Sequence, residues 1–172
     1  MIQERLKARL SVHRIRVKTQ FKGYDRGAYV DDPSFADVGS IDVEATGTLI
    51  AKIEIKATRG QTVSMSNRQG EKASNDQSRF WLCVVPLDSD DDVDALTAER
   101  VEGLARFVAG IGSRLAPARE GIQEAVESAD ESGFDLEHVD EIRYGIRADL
   151  WNAAAPLKGF VEALAKQVPA KR

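Results

Sequence analysis

The sequence is poor in the residues that usually announce a mechanism. Its 172 residues include one cysteine, Cys83, and two distant histidines, His13 and His138. A single thiol excludes an internal disulfide, and the two imidazoles make no zinc site. No apolar run reaches the roughly 20 residues of a membrane-spanning helix. The opening Met-Ile-Gln-Glu-Arg-Leu is charged and lacks a signal-peptide core. A cytoplasmic protein with no membrane partner is therefore expected. Gly-Lys-Ser/Thr phosphate loops, His-Glu-x-x-His and Gly-x-Ser-x-Gly are all missing, which removes the commonest hydrolase and nucleotidase signatures.

What is present is ordinary in amount and uneven in placement. Hydrophobic residues make up 42% and charged residues 30%, as in a globular chain the size of one domain. Net charge is −4, against a protein that coats nucleic acid. Yet residues 1–22 carry seven Lys and Arg against Glu4 alone, whereas residues 120–141 carry nine acids and no Lys or Arg. A polyanion is drawn to the first stretch and repelled by the second; as solvated faces, both stretches need no partner.

Periodicity predicts an α/β fold: a mixed central sheet with flanking helices and a helical C-terminal extension. Ile2, Leu6 and Leu10 recur every four residues, as in a short helix. From His13 to Phe21 the period is two, with Arg14, Arg16 and Lys18 on one side, which reads as a strand with a basic face. Residues 22–39, with three glycines and Pro33, read as a long loop with room for one short strand. A hairpin is expected over 40–58, a helix over 66–76 with Ser66 as N-cap, and a buried strand over 79–86. These elements assign residues 1–87 to a core and 88–94 to an acidic linker. Residues 95–172 form the helical extension, with a strand over 142–150 completing the same domain. Within the extension, Val101, Leu104, Val108, Ile111 and Leu115 predict one long helix, with Pro117 in the first turn of the next. Gly110-Ile111-Gly112 reads as close helix packing. Cys83, in an apolar strand, is expected to stay protonated and inert.

The hairpin carries the chemistry. Glu54 and Lys56, two apart on a strand, share a face, and Ile53 and Ile55 point the other way. A three-residue loop, Thr46-Gly47-Thr48, pairs Ala45 with Leu49, Val43 with Ala51 and Ile41 with Ile53, giving one apolar face. Asp42 then sits opposite Lys52 on the face of Glu54 and Lys56, and its Cα is about 7–8 Å from that of Glu54 along the diagonal. Two carboxylates and an amine in that arrangement suit metal-assisted phosphodiester hydrolysis, because hard oxygen ligands hold Mg²⁺ or Mn²⁺ and the ammonium stabilises phosphate charge. A solvated strand face of alternating charge is the other reading of the same residues. Arg14, Arg16, Lys18 and Arg59 are candidates for phosphate contact.

Ile41-Asp42 followed after a hairpin by Ile53-Glu54-Ile55-Lys56 resembles the core of the PD-(D/E)XK nuclease superfamily, with twelve positions from Asp42 to Glu54. A longer set is similar to the NO VEIN C-terminal domain family of prokaryotic defence proteins. It comprises Gly23-Tyr24-Asp25, Ile53 to Thr58, Val63 to Gln69, Ala73 and Arg79 to Val85, and covers roughly residues 22–87. The resemblance implies a restriction-endonuclease-like core with Asp42, Glu54 and Lys56 at its centre and Gln69 on the next helix beside them. It makes Asp25 a rival to Asp42 as the metal aspartate, and Glu4 the one candidate for the family's helix glutamate. It further implies a Mg²⁺- or Mn²⁺-dependent domain acting on or sensing DNA. Expected partners are DNA, other subunits or domains of a defence complex, or a second copy of the chain. A catalytically inactive module for protein–protein interaction is the alternative.

Overall fold

A computed structural model describes residues 1–20, 35–45, 47–92 and 95–168. Helix α1 (Ile2–Ser11) leads into an antiparallel meander of β1 (Ile15–Gln20), β2 (Phe35–Ala45) and β3 (Thr48–Thr58). Then come β4 (Thr62–Ser66), α2 (Asn67–Asp76) and β5 (Phe80–Pro86), with β5 parallel to β3. The second half adds α3 (Ala98–Leu104), β6 (Arg106–Val108), α4 (Ile111–Glu131), β7 (Arg143–Arg147), α5 (Ala148–Asn152), β8 (Ala155–Pro156) and α6 (Leu157–Ala165). Six strands form one mixed sheet in the order β1-β2-β3-β5-β6-β8, and β4 pairs with β7 in a separate ribbon.

Each face of the sheet carries its own core. Ile53 and Ile55 of β3 join Trp81, Cys83 and Val85 of β5 under α1, α3 and α6. The residues between them, Phe80, Leu82 and Val84, face α4, β4 and β7 in a second cluster with Val63, Met65, Ile111, Tyr144 and Trp151. Strand alternation therefore explains why β5 is apolar at nearly every position: both its sides are buried. Phe160 of α6 closes the first core, stacked on Phe107 at 4.3 Å and edge-on to Trp81 at 4.9 Å between ring centroids. Burial pushes the Cys83 thiol well above its ordinary value, in keeping with the inert role expected for it.

The hairpin register around the site agrees with the alternation, although the turn does not. Ile41 pairs with Ile53, Asp42 with Lys52 and Val43 with Ala51. Ala45, however, pairs with Thr48 rather than Leu49, so two residues make the connection, with Gly47 at φ +81°. A register shift between Val43 and Glu44 absorbs the difference. A β-bulge inserts one residue, which restores the apolar face that an uninterrupted two-residue turn would lose.

Three expectations for the second half are corrected. The stripe from Val101 to Leu115 is not one helix: α3 ends at Leu104, β6 pairs with β5, and α4 starts at Ile111 after Gly110 at φ +62°. Three glycines between 103 and 112 weaken a continuous helix, and β5 offers ladder partners to Arg106–Val108. Pro117 accordingly lies inside α4, not in a first turn, and forgoes one intrahelical hydrogen bond. The strand expected over 142–150 stops at Arg147, where α5 begins. The C-terminal half supplies β6 and β8 to the main sheet as well as its helices. In the acidic stretch, the Arg100 guanidinium lies 2.7 Å from Asp88 and 3.5 Å from Asp91.

Candidate functional site

Glu54 and Lys56 leave the same face of β3 and meet α2, which crosses from β4 to β5. They are not a solvated strand face. Lys56 has no exposed surface and Glu54 only 6%. A buried charge without partners costs several kcal/mol, so the cluster around them must be well paired. Lys56 Nζ stands 3.2 Å from Glu54 Oε1 and donates to Gln69 Oε1 at 3.2 Å. Gln69 Nε2 in turn donates to Glu54 Oε1 at 2.6 Å.

The start of α2 brings Gln69 there. Ser66 is extended, at φ −66° and ψ 163°, and caps the helix with a reciprocal box. Its hydroxyl accepts from the Gln69 backbone N–H, and its own backbone N–H donates to Gln69 Oε1 at 3.0 Å. Such a box requires Glu or Gln three residues after the cap. The Ser-x-x-Gln spacing thus makes the helix and points the side chain back at the sheet. At the far end of α2, Asp76 pairs with Lys52 at 2.5 Å.

Outside α2, a second network holds the helix start. Arg119 of α4 donates to both the carbonyl oxygen of Asn67, at 3.1 Å, and its side-chain Oδ1, at 2.9 Å. Tyr144 of β7 donates to the same Oδ1 at 3.3 Å. Both contacts come from beyond residue 100, so the C-terminal half borders the site. Sequence reading missed Asn67 and Arg119, which no short-range pattern connects.

The other candidates are dispersed. Asp42 lies on the Glu54 face, between Lys18 of β1 and Lys52 of β3 in cross-strand register. Asp25 falls outside the described residues. Register sets Asp37 across from Lys56, because a second irregularity between Asp37 and Gly39 shifts the alternation. Strict alternation from Asp42 runs through Ser40 to Val38, so no pattern in the sequence points to Asp37. Arg14, Arg16 and Lys18 are exposed along the edge strand or just before it, and Lys18 pairs with Glu44 at 2.7 Å. Arg59 donates to the Asp91 carbonyl at 2.8 Å, in the acidic stretch. Glu4 is exposed on α1, whose apolar side packs on the opposite face of the sheet.

Among the described residues, no three His, Cys, Asp or Glu side chains gather as a metal-ligand set, and no helix is long and apolar enough to cross a membrane. The chain matches no family model, no curated protein and no solved structure.

Proposed function

We propose that the chain is a metal-dependent nuclease-like domain of the PD-(D/E)XK type, with a restriction-endonuclease-like core, that acts on or senses DNA within a prokaryotic defence protein of the cytoplasm. The observation that carries this reading is the buried Glu54–Lys56–Gln69 cluster. A carboxylate and an ammonium kept side by side out of water cost desolvation that an apolar pair avoids, so their burial asks for a reason beyond packing. Their origin on one strand of a hairpin, under the helix that follows it, supports the same reading.

Mg²⁺ or Mn²⁺ takes one or two carboxylates and completes its shell with water and phosphate oxygens. Asp42 and Glu54 fit that donor chemistry and would hold the ion, with Asp25 the rival aspartate. Bound there, it supplies a polarised phosphoryl oxygen and a more acidic water. Lys56 contributes fixed positive charge where a phosphate gains negative charge, in a site from which solvent is largely excluded. Gln69 holds one oxygen of Glu54. Arg14, Arg16, Lys18 and Arg59 would take backbone phosphates, Arg59 after giving up the Asp91 carbonyl.

The test is cleavage of plasmid DNA by the purified protein with Mg²⁺ or Mn²⁺. Glu54→Gln keeps the volume of the side chain and is expected to lower the rate by about 100-fold or more, with the far-UV spectrum unchanged. An unmutated protein that neither binds these ions nor cuts DNA or RNA defeats the proposal. A second reading, an inactive nuclease-like module that docks other subunits, is favoured by the acidic segment 120–141. Phe134 there is 71% exposed and Leu136 49%, beside acids that repel a phosphate backbone.

A further inference from the structure

The side-chain amide of Gln69 has one workable orientation, and the helix cap sets it. Among the described residues, three groups bond to it, each with a fixed hydrogen-bonding character. The Ser66 backbone N–H can only donate, and it lies 3.0 Å from Oε1. The Lys56 ammonium can only donate, and it lies 3.2 Å from the same oxygen. The Glu54 carboxylate accepts, and it lies 2.6 Å from Nε2. Turning the amide by half a rotation would set its NH₂ group against two donors and its oxygen against a carboxylate, so all three bonds would fail together.

We propose that Gln69 is a positioning residue, keyed by the backbone N–H of Ser66, and that this key fixes which Glu54 oxygen is engaged and where the Lys56 ammonium stands. The cap is thus more than a helix terminator. A backbone group in the β4–α2 connection sets the polarity of the amide, and the amide passes that polarity to the two charged groups on β3. The inference takes its importance from the proposed nuclease reading, but the geometry it concerns involves only side chains and backbone of this chain.

Two substitutions at Ser66 separate the key from the cap. Ser66→Ala removes the hydroxyl half of the box and keeps the N–H. Ser66→Pro removes the N–H as well, at a φ of −66° that proline adopts without strain. Nuclear magnetic resonance of the Gln69 side-chain amide and of the Lys56 ammonium reads the outcome without metal or DNA. The Gln69 amide protons are expected to stay protected from exchange in Ser66→Ala. In Ser66→Pro they should exchange about tenfold faster, the scale of one neutral hydrogen bond, and the Lys56 ammonium signal should move. Equal protection and equal Lys56 signals in the two variants would overturn the proposal.

Gln69→Glu gives an independent check should Ser66→Pro fail to fold. It keeps an acceptor for Ser66 and Lys56, removes the amide donor to Glu54 and sets a second carboxyl group against that carboxylate. The Lys56 signal should persist and the Glu54 carboxyl carbon signal should shift; the reverse pattern also overturns the proposal. A protein that passes these tests but never cleaves DNA retains the key and loses only the nuclease reading.

Discussion

A Cβ built on Gly112 of α4 would stand 1.9 Å from the carbonyl oxygen of Ala73 in α2. The two helices therefore touch backbone to backbone. One turn earlier in α2, a Cβ on Gly70 would meet the Tyr144 ring at 2.5 Å. Both clamps belong to the C-terminal half, and what they hold is the helix that lowers Gln69 onto Glu54. The Gly110-Ile111-Gly112 motif, read in the sequence as close packing, has that role at Gly112.

Gly112→Ala must push α2 and α4 apart, because a backbone carbonyl cannot rotate aside as a side chain does. A loss of about 3 kcal/mol is expected in urea unfolding. Gly121→Ala serves as the control in the same helix. Nothing lies within 4 Å of its Cβ, so it should gain roughly 0.5–1 kcal/mol from helix propensity. Equal effects at the two sites would mean that the interhelix contact is not tight.

Lys56→Met removes the cation and leaves the Glu54 carboxylate buried without the ammonium beside it. Breaking a buried pair from one side costs about 3–5 kcal/mol. Adding Glu54→Gln should recover part of that loss, since the uncompensated charge disappears. Denaturant melts of the two single variants and the double would check this, and strict additivity would count against the pairing.

If the edge strand meets DNA, Arg14→Ala with Arg16→Ala should weaken binding and reduce the slope of log K against log salt by about 2. Lys18→Ala should matter less, because Glu44 already occupies its ammonium. Binding titrations at several salt concentrations distinguish these outcomes; an unchanged slope would remove β1 from the interface.

The Cys83 thiol is held protonated by burial when folded, whereas in the unfolded chain it ionises near its ordinary value of 9.0. Above that pH the unfolded state has lost a proton that the native state keeps. Stability is thus unaffected by this group below about 9 and falls by roughly 1.4 kcal/mol per pH unit above it. Cys83→Ala, for all its packing cost, should flatten the alkaline limb of a stability–pH profile. In the native protein at pH 8 the thiol should resist alkylation until the chain unfolds.

Much of the fold near the site is written in local pattern. Alternation alone divides Ile53 and Ile55 from Glu54 and Lys56, and the pairing of Asp42 with Lys52 follows from matching apolar faces. Ser66-x-x-Gln69 announces a helix start. These features depend on the two-residue period of a strand or on one turn of helix, which a sequence displays directly.

What tertiary structure alone decided lies at longer range. The stripe from Val101 to Leu115 suits one helix equally well, and only the unpaired edge of β5 draws Arg106–Val108 into the sheet. A bulge moves Asp37 opposite Lys56, and no spacing rule anticipates an inserted residue. Whether a charged strand face meets water or a helix depends on what the rest of the chain lays over it. Here α2 covers it, held by Gly112, Arg119 and Tyr144 from the other half. The sequence determined that Glu54 and Lys56 would stand together; burial beneath Gln69 came from contacts between segments far apart along the chain, whose closure no local period encodes.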